Sequence, residues 1–186
     1  MTADERVYLA LRLAHEAGFD DAAIFSTADI ELHESVRAYC AEDLCDQYGK
    51  RWACPPYCGT LAECGERIRK YALGVAAVTE AAIAHPRDIE GMHAAEETHH
   101  ARLYAWLSAA AAAFPDFLML GAGACKLCAR CTCPDAPCRY PDRMLVSMEA
   151  SGMIVRDLLV RCGLPYHTGG DRLTFAGCLL LPAAAK

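Results

Sequence analysis

The chain lacks an excess of positive charge. Its 18 Lys and Arg stand against 24 Asp and Glu, for a formal net charge of −6 over 186 residues. No cluster of basic residues offers the phosphate contacts that nucleic acids require, so we expect no nucleic-acid partner. Long apolar runs are missing as well. The most apolar stretches, ALGVAAV and LSAAAAAF, fall far short of the roughly 18 residues of a membrane span, and we expect no membrane association. The opening segment MTADERVYLALRLAHEAGFD mixes acids with apolar residues at helical spacing and holds no uninterrupted apolar stretch of signal-peptide length. A mature, cytoplasmic protein is the expectation.

Two further absences bear on chemistry. Gly121-Ala122-Gly123 follows a predicted strand but has no third glycine of a dinucleotide fingerprint, and no nucleotide is inferred. In GMHAAEETHHARLY, Glu96 and His99 make the E-x-x-H step of carboxylate-bridged metal sites, but no second such motif exists. The residues His93, Glu96, Glu97 and His100, which share a helical face, therefore read as a solvated surface.

What is present is cysteine. The chain carries 12 Cys within a composition that is 54% hydrophobic and 23% charged, which is globular in character. At this length a core forms without disulfide rescue, and a disulfide framework belongs with an export signal that is not seen. Metal binding is the leading explanation.

Periodicity predicts an amphipathic helix from Ala3 to about Ala17 with Gly18 as its stop, then a strand at AAIFSTADI. Thr60 caps a predicted helix through LAECGERIRKYA, and YALGVAAVTEA reads as a buried strand. A long alanine-rich helix runs from Asp88 or Ile89 to Phe114 and is closed by Pro115; FLMLGAGA is the next strand. Asp142 is placed to cap a helix through MLVSMEA, IVRDLLVRC a second one, and LTFAGCLLL is the last strand. The expectation is one α+β domain over residues 1–186, its helices packed on a small mixed sheet of about four strands, with two cysteine-rich metal-binding loops gathered at one end.

Cys125, Cys128, Cys131 and Cys138 make C-x2-C-x2-C-x6-C. The first three have the spacing of a ferredoxin loop, in which successive thiolates wrap the irons of a cubane. A tetrahedral zinc site usually draws two separated pairs instead. Position 135, where the bacterial ferredoxin run has its fourth cysteine, is Asp135, so Cys138 or Cys133 fills that place. Cys40, Cys45, Cys54 and Cys64 form a looser group spaced x4, x8 and x9, broken by Cys54-Pro55-Pro56, where the prolines forbid regular structure. Each group holds one surplus thiol, taken as Cys58 in the first and Cys133 in the second. Cys162 and Cys178 sit in apolar segments and read as buried small hydrophobes.

With these residues in view the sequence resembles the cysteine-rich predicted metal-binding proteins known as domain of unknown function 2284. The resemblance rests on Cys40, Cys45, Tyr48-Gly49-Lys50, Cys54-Pro55-Pro56 and Cys64, then on Cys125, Cys128, Cys131, Pro137-Cys138-Arg139, Pro141 and Ser147-Met148-Glu149-Ala150. That family's pattern does not require Cys58 or Cys133. Tyr140 stands where it often has a histidine. The resemblance implies a metal-binding protein with two 4Fe-4S clusters and supplies no reaction.

Three functions follow. The leading one is electron transfer to or from a redox partner protein, with Cys40, Cys45, Cys54 and Cys64 holding one cluster and Cys125, Cys128, Cys131 and Cys138 the other. The alternative is a structural zinc-binding interaction module. A further alternative is a redox enzyme whose cluster binds substrate, with Cys58 or Cys133 as an adjacent thiol. In two-cluster ferredoxins the cysteine beyond the three-thiol run serves the other cluster, so Cys138 exchanging into the first group stays open. Tyr48, Trp52 and Tyr57 read as shields against water, Arg139 as a charge partner or a loop anchor, and Ser147 and Glu149 as capping and surface charge.

Overall fold

In the computed structural model, which describes residues 1–183, the chain opens with α1 (Ala3–Glu16), held at its start by a reciprocal capping box between Thr2 and Glu5. It ends at Gly18, whose φ of +91° suits glycine alone. Next come β1 (Asp21–Ser26), α2 (Glu34–Ala41), α3 (Leu61–Ile68), which Thr60 and Glu63 cap in the same reciprocal way, and β2 (Leu73–Ala82). The long helix α4 (Ile89–Ala113) starts at Asp88, whose carboxylate accepts the Gly91 amide at 2.9 Å. Then follow β3 (Leu118–Gly121), β4 (Val146–Ser147), α5 (Val155–Arg161), β5 (Thr168–Gly169) and β6 (Arg172–Leu181).

The strands form one mixed sheet in the order β1-β2-β6-β3-β4, with β5 paired to the start of β6. All pairings are antiparallel except β3 with β4. Side chains alternate across this sheet, and both faces are covered. Val75 and Ala77 of β2, with Leu179 and Leu181 of β6, meet Val7, Leu103 and Trp106 of α1 and α4. Ala76 and Val78, with Cys178 and Leu180, meet Ile68, Met148 and Leu159 on the other side. Burial on both faces is why β2 and β6 read as continuous apolar runs. Trp106 is fully buried, and its indole N–H is satisfied by the Ala10 carbonyl at 3.2 Å, tying α4 to α1. No helix among the described residues is long and apolar enough to cross a membrane.

The α+β class holds, but the sheet has six strands and not about four. The two extra strands, β4 and β5, are two residues long each, too short to carry a period-2 signal. The helix expected from Asp142 through Ala150 is also absent. A 3-10 turn (Pro141–Arg143) and then β4 occupy it, because Val146 and Met148 are buried against the sheet and Val146 pairs with Leu120. Sheet pairing there outweighs local helix propensity. The polar helix α2, with no buried residue, lies where no element was expected.

The fold sets the cysteines on two connections. The first group starts at the end of α2 and closes on α3; the second hangs between β3 and β4.

Candidate metal centre

Cys125, Cys128, Cys131 and Cys138 all line one cleft, whose walls include Arg51, Trp52, Leu127, Tyr140 and Met144. Cys133 is buried and is not among its lining residues. Within the loop, the Ala136 amide donates to the Thr132 carbonyl at 2.9 Å and the Thr132 hydroxyl to the Pro137 carbonyl at 2.8 Å. Arg139 donates to the Arg130 carbonyl at 2.9 Å, the loop-anchoring role of the two considered for it. The backbone N–H groups of Cys133, Trp52 and Thr132 lie near the Cys131 sulfur. Desolvation pushes this thiol up, but those amides and the Arg51 charge outweigh it and hold Cys131 below the usual thiol range. Amides near one sulfur favour its thiolate.

The first group divides in two. Cys40 sits in α2, Cys45 is exposed in the loop behind it, and Cys54 is buried. Burial pushes Cys54 up to about 11, and the neighbouring charges of Cys45, Cys40 and Cys125 push the same way against Arg51. These thiols therefore lie within electrostatic reach of one another and of the second group. Asp43 and Asp46 carry the turn between Cys40 and Cys54, with φ of 52° and 55°. The Asp43 carboxylate accepts the Tyr48 amide at 2.8 Å, and Lys50 pairs with both acids.

Cys64, on α3, is engaged elsewhere. Its sulfur takes hydrogen bonds from Arg67 Nη2 at 3.0 Å and Arg37 Nη1 at 3.7 Å, and the Cys58 thiol lies beside it. The neighbouring Cys58 thiol holds the Cys64 thiol well below its ordinary range; burial opposes this, and the two arginines add to it. The Cys58 proton is correspondingly held, and its thiol is raised. Cys58, read as surplus, is thus the partner of a predicted ligand.

Among the described residues no group of three or more His, Cys, Asp or Glu converges tightly enough to hold a single ion. The donor set itself fits a thiolate-held centre: four cysteines share one cleft, and one of them lies near backbone amides.

Other residues fall differently from expectation. His100 is buried rather than part of a solvated face, and His99 beside it is buried as well. His99 Nδ1 bonds the Thr79 hydroxyl at 2.9 Å, and its ring stacks on Phe175. Glu149 is no surface charge: its Oε2 is shut away from solvent without a partner, and burial raises its carboxyl. Ser147, in β4, accepts the Ala150 amide at 2.9 Å. Trp52 packs edge-on to Tyr57 with centroids 5.3 Å apart and donates to the Ala136 carbonyl at 3.1 Å, so it braces the second loop. Arg37, Arg51, Arg67 and Tyr104 all contact the cysteine groups and were not singled out from sequence. Only Arg67, one helical turn after Cys64, has a local signal.

The family model described as predicted metal-binding protein, domain of unknown function 2284, matches residues 23–181. No curated protein and no solved structure matches the chain.

Proposed function

Because the chain belongs to the family of predicted metal-binding proteins, domain of unknown function 2284, we propose that it carries two 4Fe-4S clusters and passes electrons to or from a partner protein. Cys125, Cys128, Cys131 and Cys138 would hold one cluster, and Cys40, Cys45, Cys54 and Cys64 the other. A thiolate-held cluster, when bound, accepts and releases single electrons at a potential set by its hydrogen bonds and exposure.

The observation that carries this reading is that the C-x2-C-x2-C-x6-C thiols line a single cleft. Cys131, held below the usual thiol range by nearby amides and the Arg51 charge against its burial, supports it. Eight cysteines serving as cluster ligands suit a reducing compartment such as the cytoplasm. The electrostatic reach between Cys54 and Cys125 supports a relay, since neighbouring centres exchange electrons.

The test is iron, zinc and acid-labile sulfide per chain after anaerobic purification, read beside the visible spectrum. About eight irons and eight sulfides with absorption that bleaches on reduction are expected for two cubanes. Zinc without sulfide overturns the electron-transfer reading and leaves a structural zinc module.

A further inference from the structure

Helix α4 presents Glu96, His100 and Tyr104 at four-residue steps, so they form one ridge. This ridge meets the second cysteine loop. Glu96 pairs with Lys126 at 3.1 Å, and the Tyr104 hydroxyl lies 3.8 Å from the Cys125 sulfur, within hydrogen-bond reach for sulfur. The Tyr104 ring is held in place by its neighbours. His100 stacks on it with centroids 6.4 Å apart, and the Arg143 guanidinium lies 5.9 Å from the ring centre.

Resting on the proposed function of the second site, we propose that Tyr104 donates a hydrogen bond to the Cys125 sulfur and thereby tunes the centre that this sulfur holds. The direction of the bond follows from chemistry. A ligating thiolate has no proton to give, so the phenol must be the donor. Tyr104 is a positioning residue: it acts through Cys125. Its bond stabilises negative charge on that sulfur, so the reduced state of a cluster there gains more than the oxidised state.

The test is Tyr104→Phe, which deletes only the hydroxyl. Iron and sulfide per chain should match the unaltered protein, while the midpoint potential of one cluster falls. Full cluster content with both potentials unchanged overturns the inference. A purely structural role would change metal content or thermal stability and leave the potentials of intact clusters alone.

Should the phenylalanine variant fold poorly, a ring-fluorinated tyrosine at position 104, a stronger donor of nearly the same shape, must shift the potential upward; no shift overturns the proposal. If the unaltered protein holds neither iron nor sulfide, the iron-sulfur reading fails first. The sulfur-to-metal charge-transfer band of the cobalt-loaded protein then decides the donor. A band moved by Tyr104→Phe upholds the bond to Cys125, and an unmoved band, or no cobalt bound at all, overturns it.

Discussion

Arg51 donates from Nη1 to the Cys125 carbonyl at 2.9 Å and to the Cys128 carbonyl at 3.2 Å. A residue of the first cysteine loop thus holds the backbone of the second. Its Nε is engaged by Gln47 of its own loop, so the guanidinium works as a strap between the two. Trp52, the next residue, repeats the attachment through the Ala136 carbonyl. The two loops therefore take their shapes together, and the cleft between them is a joint product.

Removing the strap should show in both loops. Arg51→Ala deletes two charge-assisted bonds worth about 1.5–3 kcal/mol each before relaxation. Metal content is expected to fall first at the second site, with faster amide exchange over residues 125–138. Lysine should restore little, because one ammonium cannot stand both where Nε meets Gln47 and where Nη1 meets the two carbonyls. Wild-type metal content and exchange rates in the alanine variant would refute a strap.

Serine substitutions separate ligands from bystanders. Cys138 lines the cleft with Cys125, Cys128 and Cys131, and Cys133 does not. Cys138→Ser and Cys131→Ser should each remove about half of the bound metal, as expected when one of two thiolate sites fails. Cys133→Ser should leave it unchanged. Loss of metal from Cys133→Ser with retention in Cys138→Ser would reverse the assignment.

The sequence showed these thiols because spacing along a loop is a local property. The contacts that shape them are not local. Tyr104 reaches Cys125 from α4, and Arg37 reaches Cys64 from a helix with no apolar stripe to betray it. The same divide runs through the fold. β2 and β6 are legible as apolar runs, and α4 between Asp88 and Pro115, whereas β4 exists only because Val146 finds Leu120. In α4 the buried residues Ala95, His99, Leu103 and Trp106 do follow helical spacing. Abundant alanine on the remaining faces blurs that stripe, so the sequence places His100 on a solvated face although it is buried.

Close packing of α4 on the sheet gives a stability prediction. A Cβ added at Gly177 of β6 would stand 2.5 Å from Leu103 Cδ2 and 3.1 Å from the Leu120 carbonyl oxygen. The leucine can turn aside, but the backbone oxygen belongs to the paired strand β3. Gly177→Ala should destabilise by about 1–3 kcal/mol, as overpacked cores do. Gly169, with nothing near its Cβ position, is the control: alanine there should change the denaturation midpoint far less. Equal effects at both sites would argue against a tight helix-sheet contact at Gly177.

His99 gives a pH dependence of defined sign. Burial lowers it from 6.5 to about 3, with the neighbouring His100 charge acting in the same direction. The folded protein therefore keeps this ring neutral while the unfolded chain protonates it as the pH drops below 6.5. Between those limits the unfolded state binds more protons, and stability is lost on acidification. From pH 7 to pH 5 the loss through this one group is about 2 kcal/mol. His99→Gln removes the titration and can still meet the Thr79 hydroxyl. It should be less stable than wild type at pH 7, since it gives up the stack on Phe175, yet lose less on going to pH 5. Urea midpoints at the two pH values measure this directly. Equal losses in variant and wild type would mean that His99 protonates within the folded protein.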